Sequence, residues 1–351
     1  MNEKKQLSVI LPVYNAGEYL ENTIESVLQS VHIDLELIII NDGSTDNSEE
    51  ICRKYSSDPR VVYFVQENKG VSSAREKGMQ YVKGEYLTFI DSDDYVEPDM
   101  YDKMYSTAVS NESEIVSCGF HKVMDTATIA IRHGTSRNLC TKEACERLSI
   151  NLITHGRVLN DPNLGTGFFE GVLWDSIYKT EFIMKNHFQF ISFWNNEDDY
   201  LFKIQCYNAA TNVSILEEYL YYYRVRSDSL SRKRRYIDDL YSRRCKGREY
   251  IYKLLAEVYS GEKQALQEYK DDFERKILLM TLYNETVCNN PHPYHESIRL
   301  LKNVRNKEKS NISKGLWKGA SFVEKGFLIL LFCRLYRCAY IINRYLIHKY
   351  R

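Results

Sequence analysis

Asp91-Ser92-Asp93-Asp94 puts three carboxylates into four residues, directly after the apolar run Tyr86-Leu87-Thr88-Phe89-Ile90. Carboxylates packed this closely repel one another, and leaving them beside a core is costly unless a divalent cation or hydrogen-bond donors neutralise them. Mg2+ or Mn2+ held by one or two carboxylates, with water and substrate phosphate completing the shell, is the chemistry that fits. A solvated turn would satisfy the same four residues, and the segment alone does not decide between the two.

The elements that must position this turn alternate along the chain. Leu7 to Leu11 reads as a first strand, and Asn15 as the cap of a helix whose face carries Leu20, Ile24, Val27, Leu28 and Val31. Leu35 to Ile40 is a second strand, followed by Asp46 and Glu49 at capping-box spacing. Val61 to Val65 is a third, and a Gly70 turn then opens a helix with Ala74, Gly78 and Val82 on one face. Tyr86 to Ile90 is the fourth and Ile115 to Cys118 the fifth, with a Met100, Met104 and Ala108 helix between them. Such alternation predicts an α/β fold with a mostly parallel sheet, helices on both faces, and ligands at the carboxyl ends of the strands. Three of those ends carry polar clusters: Asp42, then Glu67 with Asn68, then Asp91 to Asp94.

The first strand-to-helix turn, Pro12-Val13-Tyr14-Asn15-Ala16-Gly17, has one glycine where a dinucleotide fingerprint needs three. It also lacks the glycine-rich basic loop of a sugar-phosphate nucleotidyltransferase, and no P-loop occurs anywhere in the chain. Four segments instead resemble, in order and approximate spacing, the motifs of family 2 glycosyltransferases. They are Val9 to Asn15, Ile40 to Asp46, Asn68 to Arg75, and Phe89 to Asp94. Val172-Leu173-Trp174, Asn196 to Phe202 and Tyr222-Tyr223-Arg224 resemble later landmarks, so the resemblance covers roughly residues 7 to 230.

The resemblance implies a GT-A fold and inverting transfer of a sugar from a nucleotide-diphosphate donor, with Mn2+ or Mg2+ as cofactor. It implies that Pro12, Val13, Tyr14 and Asp42 line the nucleobase pocket, with Asn68, Gly70, Ser92 and Arg75 at the donor. Asp91 lies near ribose and metal, and Asp93 is the main metal ligand. Glu197-Asp198 matches the acidic motif, with Asp198 as the base that takes the acceptor proton. On a helix starting near Asn196, Asp198 shares a face with Leu201, Phe202, Gln205 and Cys206, and the helix N-terminus favours the ionised form a base needs. Glu197 and Asp199 remain open if the helix begins one residue away. Arg224 and Arg226 are candidates for a segment closing over the diphosphate. Trp174 is either an acceptor wall or core. No histidine marks the position of an extra metal ligand.

The chain has 351 residues, a net charge of −1, nine cysteines and eight histidines. Near-zero charge gives no reason to expect a nucleic-acid partner, and an odd cysteine count without a C-x-x-C pair predicts reduced thiols and a cytoplasmic location. Leu7 to Leu11 is too short for a secretory signal core. The expected division is a catalytic domain over 1–230 and a helical C-terminal extension over 231–351. That extension opens on the basic Arg232 to Arg235 and ends, from about 315 to 351, in an amphipathic segment. Phe327 to Cys333 is strongly apolar, but Arg334, Arg337 and Arg344 break up the apolar character beyond it, so an interfacial helix fits better than a span. Arg334, Arg337, Lys349 and Arg351 would meet anionic headgroups on the inner face of the membrane. The alternative is a helix packed on the catalytic domain or on a second copy in a homodimer. A membrane position suits a glycan acceptor on a lipid carrier, as in capsule, exopolysaccharide or O-antigen assembly. The competing reading is a catalytically silent GT-A domain that binds a nucleotide sugar as a scaffold. Donor selectivity is expected in the loop from His155 to Gly171.

Overall fold

Strand β1 (Leu7–Val13) is buried along its whole length, and β2 (Leu35–Asp42) likewise, because helices cover both faces of the sheet here. That is why both read as continuous apolar runs rather than as alternation. The computed structural model describes residues 5–124, 126–131, 137–155, 159, 171–193, 197–225, 236–259, 263–287, 289–308 and 317–349. The chain divides into two compact units, Met1–Ile191 with Glu197–Ser227, and Ser192–Asn196 with Asp228–Arg351.

In the first unit, β1 leads to α1 (Leu20–Leu28), β2 to α2 (Ser48–Tyr55) and β3 (Val61–Gln66) to α3 (Val71–Met79). β4 (Tyr86–Phe89) is followed by the short β5 (Tyr95–Val96) and α4 (Met100–Ser110). β6 (Ile115–Met124), β7 (Ala127–Ile131) and β8 (Arg137–Leu139) precede α5 (Lys142–Thr154). β9 (Ser176–Lys179) and α6 (Thr180–Asn186) lead to α7 (Asp198–Ala209) and β10 (Val213–Arg224). The sheet order is β3-β2-β1-β4-β9-β6-β10-β5, with β7 on β6 and β8 on β10. β3, β2, β1 and β4 are parallel, as are β6 and β10, whereas β9 runs antiparallel between β4 and β6. This is the expected mostly parallel α/β sheet, with the architecture of the GT-A fold.

Several local expectations need correction. Asn15 caps no helix: α1 begins at Leu20, and Asn15 sits in the left-handed region at φ 49°. Its Oδ1 accepts from Thr45 N at 2.8 Å and its own N–H donates to Ser44 Oγ, so it fastens the loop after β1 to the loop after β2. Val31 lies beyond the helix and is exposed. Asp46 and Glu49 form no capping box, since Asp46 accepts from Gly17 N and Ser48 N while Glu49 pairs with Arg53. Val82 falls outside α3 yet still packs against its sheet-facing side with Ala74. Gly78 is required there by proximity, because a Cβ would lie 2.5 Å from Ile10 Cγ2.

The second unit is helical, with α8 (Leu240–Val258), α9 (Lys263–Thr286), α10 (Tyr294–Glu308), α11 (Phe322–Phe332) and α12 (Tyr336–Lys349). Its core joins Leu278, Leu282, Leu301 and Val304 to Phe327, Leu328 and Leu331. Within the most apolar part of the C-terminal segment, Phe327, Leu328 and Leu331 therefore face protein, whereas Ile329 is half exposed. No helix among the described residues is long and apolar enough to cross a membrane.

Candidate active site

Asp42 ends β2, and its carboxylate is 3% exposed. Oδ1 accepts from Gln66 Nε2 at 2.7 Å and Lys69 N at 2.9 Å, and Oδ2 accepts from Gly70 N at 2.8 Å. Gly70 adopts φ 88° with open space where a Cβ would be, so conformation and not crowding selects glycine. Asp42 thereby fixes the residue at which α3 begins. One turn into that helix stand Ser72 and Arg75, three residues apart and on one face.

That face meets the start of α7. Ser72 Oγ donates to Asp198 Oδ2 at 2.5 Å. The Arg75 guanidinium, with its side chain 4% exposed, donates to Asp91 Oδ1 through Nη2 at 3.1 Å and to Asp199 Oδ1 through Nη1. Asp198 Oδ2 lies 3.6 Å from the same Nη1. The aromatic rings of Phe89 and Phe190 cover the guanidinium at about 6 Å. Three carboxylates thus surround one cation in a largely dry corner. Burial pushes the Asp199 carboxyl up to about 7; Arg75 opposes the shift, while Asp198 and Asp91 add to it.

The Asp91 to Asp94 turn is built from both sides. Thr23 of α1 donates to the carbonyls of Asp94, at 2.7 Å, and Ser92. From β10, Tyr221 Oη donates to Asp94 Oδ2 at 2.8 Å and accepts from Asp91 N, and Arg224 N donates to Asp94 Oδ1 at 2.8 Å. Asp94 is fully buried, and burial together with the charges of Asp91 and Asp93 holds its carboxyl well above the usual range. Asp94 is the structural member of the trio. Asp91 and Asp93 remain as partly exposed oxygen donors suited to a hard divalent cation. Among the described residues no group of three or more His, Cys, Asp or Glu side chains is placed to hold a metal, so water or other oxygen ligands would have to complete a shell begun by Asp91 and Asp93. Two partly exposed carboxylates fit a hard divalent cation such as Mg2+ or Mn2+.

Of the remaining expected residues, Pro12 and Val13 are buried at the end of β1 and Tyr14 is 49% exposed just beyond it. Asn68 is exposed in the turn before α3, and its N would lie 2.9 Å from a Cβ at Gly43. Glu197 is buried immediately before α7. Arg224 is held in place: its guanidinium donates to Asp93 O at 2.7 Å and to Asn22 Oδ1, and lies over the Tyr95 ring at 4.5 Å. It braces the acidic turn from behind. Arg226 and nearly all of the loop from His155 to Gly171 lie outside the described residues. Trp174 is core, stacked at 4.0 Å on Tyr221, whose hydroxyl holds Asp91 and Asp94.

Sequence reasoning missed Ser72, the Asp199 pairing, and a wholly buried ion pair between Lys203 and Asp175 at 2.5 Å. Lys203 sits on α7, five residues after Asp198, and also donates to Val172 O at 2.9 Å. The sequence carried no signal for it, because Lys203 falls outside the Leu201, Phe202, Gln205 and Cys206 stripe and is buried only because α7 is covered on most of its sides.

A family model, glycosyl transferase family 2, matches residues 8–173. The glycosyltransferase GlyG of Streptococcus pneumoniae is 32% identical over 231 residues, 64% of this chain and 73% of GlyG. The uncharacterized glycosyltransferase YibD of Escherichia coli is 32% identical over 241 residues, 67% of this chain and 66% of YibD. For other curated relatives the share of their length spanned falls to 32% and as low as 10%. Among solved structures, Staphylococcus aureus TarS 1-349 in complex with UDP-GlcNAc aligns at TM-score 0.63 and 16% identity, covering 99% of this chain and 92% of that one. That likeness concerns the fold alone. The acidic turn after β4, the arginine on α3 and the acidic pair opening α7 meet in one corner, and with the family model over 8–173 and GlyG spanned over 73% of its length at 32% identity, the chain belongs to glycosyl transferase family 2.

Proposed function

We propose that this chain transfers a sugar, with inversion, from a nucleotide-diphosphate donor to a hydroxyl of a glycan acceptor. A UDP-hexose or UDP-N-acetylhexosamine is the favoured donor, and the TarS complex with UDP-GlcNAc is the neighbour that supports this choice. One observation carries the reading: the single Arg75 guanidinium ties Asp91 of the acidic turn to Asp199 and lies beside Asp198. Donor-holding and proton-accepting groups therefore share one rigid corner.

In the proposed reaction Tyr14, with the end of β1, borders the nucleobase, and Asp42, Asn68 and Gly70 shape the loop beside it. Asp91, Ser92 and Asp93 face the ribose and diphosphate. A bound Mn2+ or Mg2+ would neutralise the charge gained by the leaving nucleoside diphosphate. Asp198 takes the acceptor hydroxyl proton as that oxygen bonds to the anomeric carbon and the bond to the donor phosphate breaks. Ser72 fixes the orientation of Asp198, so the base need not search for its geometry. Glu197 supports the start of α7. Arg224 keeps the acidic turn in place, and Arg226 is proposed as a hydrogen-bond donor to the diphosphate.

The acceptor is proposed to be a lipid-carrier-linked oligosaccharide of a cell-surface polysaccharide, with the chain on the cytoplasmic face of the membrane. A screen of UDP-glucose, UDP-galactose, their N-acetyl forms, UDP-glucuronate, GDP-mannose and dTDP-rhamnose, each with Mn2+, Mg2+ or EDTA, tests the donor. Selective metal-dependent binding or slow hydrolysis of one donor supports transfer. No binding of any donor with either metal would favour a silent scaffold.

A further inference from the structure

The C-terminal helices have two unlike faces. Inward, Phe327, Leu328 and Leu331 of α11 and Tyr336, Ala339 and Tyr340 of α12 complete the helical core. Outward, α11 exposes Phe322 (92%) and Ile329 (51%), which lie seven residues apart and so share a face. On α12 the exposed positions Cys338, Ile341, Ile342 and Tyr345 follow i, i+3, i+4, i+7 spacing, with Ile341 at 60% and Tyr345 at 64%. Leu335, in the turn joining the two helices, is also exposed. Scattered surface leucines need no explanation, but two consecutive helices each carrying an apolar outer stripe do.

The charges on the same segment are one-sided. Lys325, Arg334, Arg337 and Arg344 are exposed, whereas the single acid from 320 to 346, Glu324, is engaged in a capping box with Ser321. A helix pair with aromatic and aliphatic side chains outward and cations beside them matches an acyl boundary topped by anionic headgroups. No described helix is long and apolar enough to span, so such a pair would lie in the interface. Burying the stripe against a second copy is disfavoured by the same charges. A two-fold contact would bring these cations close to their own counterparts.

We propose that the outer faces of α11 and α12 form the surface by which this chain docks on an anionic bilayer. The inserting residues are Phe322, Ile329, Ile341 and Tyr345; of the Phe327 to Cys333 run that hydropathy singles out, Phe327, Leu328 and Leu331 stay in the helical core. The inference deepens the acceptor reading above and rests on it for its purpose, because a lipid-linked glycan would be held at the same membrane.

The test is co-sedimentation of the full chain with phosphatidylcholine vesicles, with and without phosphatidylglycerol. Ile341→Ser/Tyr345→Ser and Arg334→Glu/Arg337→Glu are compared with the parent, and solution hydrolysis of the donor and thermal unfolding are read in parallel. The expected result is binding to the anionic vesicles that added salt weakens and that each double variant lowers by about tenfold or more, with folding and hydrolysis unchanged. A parent chain left in the supernatant with both vesicle types would overturn the proposal. So would a dimer in sedimentation velocity that Ile341→Ser/Tyr345→Ser dissociates without changing vesicle binding. Vesicle binding without hydrolysis of any donor would sink the transferase reading and leave the surface standing, and the converse would do the reverse.

Discussion

Arg75 donates to Asp91 across 3.1 Å, joining the helix after β3 to the acidic turn after β4. The same guanidinium reaches Asp199 at the start of α7, so three separate segments meet on one buried cation. Removing it by Arg75→Met leaves three carboxylates without their counter-charge and should cost about 3–5 kcal/mol in denaturant unfolding. Arg75→Lys should recover only part of this, because an ammonium cannot address Asp91 and Asp199 with two separate nitrogens. Full recovery by lysine would mean that charge alone holds the corner.

Asp199 should give the protein a pH-dependent stability. Its carboxyl is pushed up to about 7 by burial, from an ordinary value of 3.8. Between those values the folded chain retains a proton that the unfolded chain has released, so stability falls as pH rises from about 4 to about 7 and then levels off. Asp199→Asn should remove most of that slope and be the more stable protein at about pH 8, by roughly 1–4 kcal/mol. Denaturant midpoints measured across this window check it; an unchanged slope in the variant would assign the titration to another group.

Lys203 and Asp175 should behave as a unit. Lys203→Met leaves Asp175 buried without its cation and should destabilise by about 3–5 kcal/mol, whereas Lys203→Met/Asp175→Leu should recover much of the loss. A double-mutant cycle in chemical unfolding measures the coupling. Additive losses would show that the pair contributes through packing alone.

Metal affinity should depend on nucleotide. Asp91 and Asp93 are two donors without a described third His, Cys, Asp or Glu, so Mn2+ alone should bind weakly and at least about tenfold more tightly with UDP present. Asp93→Asn should abolish that gain in calorimetry. Tight Mn2+ binding to the chain alone would point to a protein ligand set that this geometry lacks.

Much of the fold and part of the site are legible in the sequence, for local reasons. β1 and β2 announce themselves because a strand covered on both faces is apolar throughout. Asp91 and Asp93 stand out because carboxylates at the end of such a strand need neutralising, and Asp198 because it joins the inward stripe of α7. The pairings are not legible. Ser72 and Asp198 are 126 residues apart, and nothing local in either segment specifies the other. Asp94 looks in sequence like its neighbours, and only Tyr221 and Arg224, more than a hundred residues on, make it structural. Asn15 misleads as a helix start because its side chain bonds across to the loop after β2, and Asp46 because it lies one residue before the N-cap, accepting from Ser48 N at the start of α2 and from Gly17 N of a neighbouring loop. On α11 hydropathy marks the apolar run but not its direction, and tertiary packing turns Phe327, Leu328 and Leu331 inward while leaving Ile329 half exposed.

The most direct test of transfer with Asp198 as base is turnover and donor binding measured on one preparation of Asp198→Asn beside the parent, using the donor and metal the screen selects. Loss of turnover by about 10²–10⁴-fold with donor affinity held within about threefold is the predicted result. Turnover equal to that of the parent would contradict it and move the proton-accepting role to another group of the corner.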